Sequence, residues 1–333
     1  MGSTKTEKGR KSPKKKYEKL SEENQTWLGQ HTWLAITLLL LGYIFFLLAP
    51  TTIYRIIVSP TFFLNNLYLF YIIDFFSVAL YFLIVVPFIL GLPNTRRYGE
   101  YFQSIRITRF TPVYRTIVLG IIAAIIMLSL MLLSTFLTTR FEGQMIFEPS
   151  LMIDPLYGVS VYAMLKPGIW EEVAFRGIVL VLLMKKYSSK TSIFVNGILF
   201  GLFHSLNILT AIMNAFLFGI EPEHGFWVYT LFQIGYTAFF GIFLAYLFIK
   251  TESLIPCILT HYLVDAFSSQ VTTAQNYNPW IFLIFITVIG FGILPMKLNI
   301  LIVRVSCYTW PQPFDEQVGF FDTFLARKKF RNK

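Results

Sequence analysis

Glu171, Glu172, Arg176, His204, His261 and Asp265 lie in stretches of sequence that are otherwise almost wholly apolar. Ionised groups at the centre of a bilayer cost at least ~2.5–3.5 kcal/mol each, so they need partners or a task. In Trp170-Glu171-Glu172-Val173-Ala174-Phe175-Arg176, Glu172 and Arg176 are four apart and stack on one helical face, the spacing of an ion pair. Glu171 is turned about 100° from Glu172 and projects elsewhere. One carboxylate is thus neutralised locally and the other is not. A carboxylate without a partner in low dielectric is poised to take a proton, as a general base must. His204 closes Phe200-Gly201-Leu202-Phe203-His204, and His261 and Asp265 share a helical face four residues apart.

The elements that carry these residues follow from composition. Of 333 residues, 55% are hydrophobic and 14% charged, too few charges for a water-soluble domain of this length. Continuous apolar runs of about 20 residues predict an all-α, polytopic membrane bundle, and their lack of alternation excludes a β-barrel. About eight spans are expected: 33–49, 67–91, 116–138, 158–184, 191–209, 226–249, 253–270 and 279–303. Lys166 and Pro167 interrupt the fourth, so a break is expected there, with the continuous helix starting near Gly168. Gly197 and Gly201 form a small-xxx-small pair that admits a close neighbouring helix.

Charge orders the spans. Eight Lys/Arg precede residue 31 and six follow residue 303, giving basic tails at 1–30 and 304–333 around a membrane domain at 31–303. With the N-terminus inside, predicted inner loops hold Arg96, Arg97, Arg106, Arg109, Arg115, Lys185, Lys186, Lys190 and Lys250. Outer loops hold only Arg55 and Arg140, so both termini are expected in the cytoplasm. The basic tails then meet anionic lipid rather than nucleic acid. Cys257 and Cys307 form no metal pattern or disulfide framework. Counting ~1.5 Å per residue from the inner ends puts Glu171 and His204 about 20 Å deep, Asp265 about 18 Å and His261 about 12 Å. Matching depths predict one shared cavity.

Read together, Glu171-Glu172-x-x-x-Arg176, Phe200-x-x-x-His204 and His261-x-x-x-Asp265 resemble, in order, the motifs of the CAAX prenyl protease and bacteriocin-processing (CPBP/ABI) family. The resemblance covers about 165–270. It implies a metal-independent glutamyl endopeptidase without cofactor, cutting a prenylated CAAX protein or a leader-type peptide. It also implies catalytic roles for Glu171, His204, His261 and Asp265: Glu171 and His204 activating water, His261 and Asp265 stabilising the oxyanion. Glu172 and Arg176 read as the structural ion pair of the site. Asp265 stands where prenyl proteases have Asn, and an ionised carboxylate only accepts hydrogen bonds. It is therefore expected to be protonated or to orient His261. Phe203 is bulkier than the small residue many members have before the histidine, which narrows the cavity.

The residues alone leave three other readings open. Glu171, His204 and His261 are a legitimate zinc set, although no H-E-x-x-H helix exists. Intramembrane Glu, His and Asp also serve as proton relays, with Asp74 as a further member, although no internal duplication is visible. A membrane scaffold without proteolytic activity is the third.

Overall fold

The computed structural model describes residues 31–57, 67–89, 98, 101–102, 104–107, 113–139, 145–147, 164–219, 221–222, 226–268 and 271–273. The expected span 279–303, both basic tails, residues 158–163, Glu223, His224 and Cys307 lie outside them. Helix α1 is Thr32–Ile57 and α3 is Val113–Thr139. Helix α2 runs as Leu67–Leu80, a π-helical turn Tyr81–Val85, and Val86–Ile89. Helix α4 has the same composite form: Leu165–Glu172, a π-helical segment Val173–Val179, and Leu180–Lys186. Then come α5 (Ser189–Phe203), α6 (Leu206–Phe218), α7 (Phe226–Thr251) and α8 (Ile255–Ser268). A three-residue antiparallel pairing of β1 (Met145–Phe147) with β2 (Val271–Thr273) is the sole β structure among the described residues.

The all-α membrane architecture follows from the apolar runs. Among the described residues five helical stretches are long and apolar enough to cross a membrane: Thr32–Pro50, Leu69–Phe88, Val113–Leu130, Ser189–Leu217 and Phe226–Thr251. Large apolar side chains such as Phe88, Phe216 and Leu231 are exposed on the outside of the bundle, where lipid tails and not water suit them.

Three boundaries differ from the sequence expectation. Helix α4 begins at Leu165, ahead of the expected start near Gly168, with Lys166 and Pro167 in its first turn. Proline is harmless there because first-turn N–H groups have no intrahelical acceptor. The expected span 191–209 is two helices, because the chain turns at His204 and Ser205. Their N–H groups bond to Gly201 and Leu202, three residues back, instead of four. Finally, α8 begins at Ile255, two residues after the expected start of its span, and its described part has 14 residues, roughly 21 Å at 1.5 Å per residue.

Close helix approach sets the packing. The Gly197/Gly201 face of α5 lies against α7, where a Cβ on Gly201 would sit 2.5 Å from both Ala238 Cβ and the Ile234 carbonyl oxygen. Gly168 does the same between α4 and α8, with Tyr262 Cβ 3.0 Å from where a side chain would begin. The start of α8 is gripped from the loop before α3. Arg106 and Glu252 both adopt left-handed backbone, at φ 59° and 50°. Arg106 pairs with Glu252 at 3.9 Å, and its carbonyl accepts from Leu254 N–H at 3.3 Å. On the other side of α8, the Thr260 hydroxyl reaches the Gly120 carbonyl of α3 at 3.0 Å.

Overpacking the α5–α7 contact is the direct check of this geometry. Gly201→Leu is expected to cost about 3 kcal/mol or more, since overpacking typically costs about 1–3 kcal/mol and here the obstacle is partly backbone. Thermal unfolding in detergent reads it: the melting temperature falls for Gly201→Leu and stays near wild type for Phe216→Leu, on the exposed face of α6.

Candidate active site

The six ionisable residues of the motifs converge at the junction of α4, α5 and α8. Glu172 and Arg176 lie deepest, with wholly buried side chains, and Arg176 Nη1 donates to Glu172 Oε1 at 2.7 Å. The expected ion pair is formed, although a π-helical segment begins immediately after Glu172. Arg176 is also held by the Gly241 carbonyl of α7, 3.2 Å from Nη2, and by the Phe200 ring of α5, 4.3 Å from its guanidinium carbon. The guanidinium thus meets a carboxylate, a carbonyl and an aromatic face, three surroundings that suit a planar, delocalised cation.

Glu172 has a second partner across the bundle. His261 Nδ1 lies 2.8 Å from the same Oε1, so the ring donates to the carboxylate. The other ring nitrogen, Nε2, faces Asp265 Oδ2 at 3.2 Å and Glu171 Oε2 at 4.0 Å. The ring is boxed edge-on by Phe200 and Phe240, with centroids 5.7 and 5.4 Å away. His261 therefore sits among three carboxylates, with both nitrogens directed at acceptors. Asp265 lies beside the imidazole, in the position of an orienting group.

The turn at His204 explains its ring. In an uninterrupted helix the His204 N–H would bond the Phe200 carbonyl; here it bonds Gly201, and His204 Nδ1 reaches Phe200 O at 3.0 Å. A carbonyl only accepts, so Nδ1 carries the proton. In the neutral ring Nε2 then holds the lone pair, and it faces Glu171 Oε2 at 4.0 Å.

Glu171 is the carboxylate without a local partner that the sequence implied. Its Oε2 is buried and makes no hydrogen bond among the described residues, yet it has an imidazole nitrogen at 4.0 Å on each side. That gap is too long for a direct hydrogen bond. Side-chain exposure rises from 0% at Glu172 through 14% at Glu171 and 17% at His204 to 29% at Asp265, so the open end lies beside Asp265.

Several supporting residues are not evident in the motifs. Asn196 Nδ2 donates to the Phe175 carbonyl at 2.8 Å, inside the π-helical segment; a buried Asn in an apolar span was the available signal. Phe203 stacks on Tyr43 of α1, 5.1 Å between centroids, and edges Phe175 at 5.3 Å, so its bulk fills an aromatic layer beneath His204. Asp74 of α2 forms a buried ion pair with Lys166 in the first turn of α4. Glu171, His204 and His261 do not form a ligand shell: among the described residues no group of three or more His, Cys, Asp or Glu is arranged to hold a metal ion. Glu221 and His31 are exposed.

Residues 154–267, about a third of the chain, match the family model of the Rce1-like type II CAAX prenyl endopeptidases, and this stretch contains all six motif residues. No curated protein and no solved structure is matched by the chain. The chain therefore carries, over residues 154–267, a domain of the Rce1-like type II CAAX prenyl endopeptidase family, a family of glutamyl intramembrane proteases.

Proposed function

We propose that the chain is a metal-independent intramembrane endopeptidase in which Glu171 and His204 activate a water against a peptide carbonyl. The observation that carries this reading is the buried Glu171 Oε2, without a hydrogen bond among the described residues and 4.0 Å from both His204 Nε2 and His261 Nε2. A water there can donate one proton to Glu171 and the other to the lone pair of His204, which leaves its oxygen free to attack. As the C–O bond forms, Glu171 takes the water's proton and the carbonyl becomes an oxyanion. The His261 Nε2–H is the nearest donor for that charge. Glu171 then returns the proton to the amide nitrogen as the C–N bond breaks. Asp265, with Oδ2 3.2 Å from His261 Nε2, acts as a positioning residue that holds the imidazole ring in place.

The substrate class we infer is a prenylated protein with a C-terminal CAAX sequence, the activity for which the matched family is named; a leader-type peptide is the competing class. The membrane domain spans 31–303 with both basic tails in the cytoplasm, the side on which Lys and Arg dominate the loops.

Peptide cleavage by purified protein in detergent tests the mechanism. Glu171→Gln is expected to lower kcat by about 10²–10⁴, the contribution of a general base, while the melting temperature stays near wild type. Glu172→Gln is expected to cost about 3–5 kcal/mol of stability as well as activity, because it strands Arg176 as a buried charge. Full turnover by the Glu171 variant would sink the mechanism. Strong chelators such as 1,10-phenanthroline are expected to leave the rate unchanged; loss of activity restored by added zinc would point instead to a metallohydrolase. A farnesylated CAAX peptide is expected to be cut with a higher kcat/KM than its unprenylated twin, and equal rates would favour the leader-type class.

A further inference from the structure

The buried Asp74–Lys166 ion pair lies outside the proposed chemistry. Asp74 comes from α2, beyond the stretch that matches the protease family, and Lys166 stands in the first turn of α4, five residues before Glu171. Both side chains are largely buried, at 8% and 18% exposure. Lysine is poorly placed at a helix N-terminus, where the macrodipole is positive. No acidic residue offsets it in that turn, and the N-cap residue Met164 makes no side-chain capping bond. Asp74 is thus the carboxylate that compensates Lys166.

The same two helices meet again one turn on. Trp170, immediately before Glu171, stacks on Phe82 of α2 with centroids 5.8 Å apart and planes within 8°, and Phe75, next to Asp74, lies 5.5 Å from it. The α2 face therefore grips α4 at Lys166 and at Trp170. The groups flanking Glu171 itself are His204 and His261.

Resting on the reading of Glu171 as general base, we propose that the Asp74–Lys166 pair is a positioning device: it pins the first turn of α4 to α2 and so fixes where the Glu171 carboxylate stands. The pair acts on orientation and not on substrate binding. Breaking it should therefore appear in kcat and leave KM in place.

The test compares wild type with Asp74→Asn/Lys166→Gln, which removes both charges at once and leaves neither buried alone. In the folded double variant kcat is expected to fall about tenfold or more, with KM within about twofold, as small misplacements of a catalytic group do. The charge reversal Asp74→Lys/Lys166→Asp should recover most of that loss. Wild-type kcat in the double-neutral variant would overturn the proposal. So would a loss that only tracks the folded fraction, or a folded charge reversal as slow as the neutral pair. Amide hydrogen exchange reads the same device without turnover: exchange over 165–172 should rise in the double-neutral variant while 180–186 stays unchanged, and equal exchange at 165–172 would overturn it. An inactive wild type would count against the protease reading instead, and the exchange comparison would still decide the role of the pair.

Discussion

A single carboxylate oxygen, Glu172 Oε1, organises the centre of the bundle. It accepts from Arg176 within α4 and from His261 on α8, and the same guanidinium reaches the Gly241 carbonyl on α7 and the Phe200 ring on α5. Four helices are thus joined through one desolvated ion pair. Such a pair is costly to bury and stabilises little unless every lone pair and N–H finds company. Its gain here is specificity: α8 must adopt the register that brings His261 to Glu172, and α5 the one that brings Phe200 to Arg176. Gly168 and Gly201 supply the close approach that these registers demand.

The division of labour between adjacent glutamates follows from that arrangement. Glu172 is paired through Oε1 with Arg176 and His261 on the inner side of the helix. Glu171, one residue earlier, faces imidazoles at a distance that keeps its oxygen available. Neighbours in sequence thereby acquire opposite chemistry. Aromatic rings complete the separation, since Phe200 and Phe240 border His261 on two edges and leave Asp265 on the more open one.

Much of this was legible in the chain, and the limits have physical causes. The Glu172–Arg176 pair and the meeting of Glu171, His204, His261 and Asp265 follow from helical spacing and from the cost of charge in an apolar span. So does the close face of Gly197 and Gly201, although only the structure shows that α7 occupies it. The π-helical segment after Glu172 was not legible, because hydrophobic periodicity is insensitive to one extra residue in a wholly buried helix. Nor was the turn at His204: nothing among Phe203, His204 and Ser205 breaks a helix by propensity, and the turn shows only in the backbone bonds to Gly201 and Leu202. The Asp74–Lys166 contact spans 92 positions, a separation at which composition and local pattern carry no information.

At the turn at His204 a ring nitrogen reaches the carbonyl that a helical backbone N–H would bond. The Phe200 carbonyl can be bonded by the imidazole Nδ1–H or, if the chain straightens, by the backbone N–H of the same residue. The tight turn at 204 goes with the location of one hydrogen on the imidazole: with Nδ1–H on the Phe200 carbonyl, Nε2 is open toward Glu171.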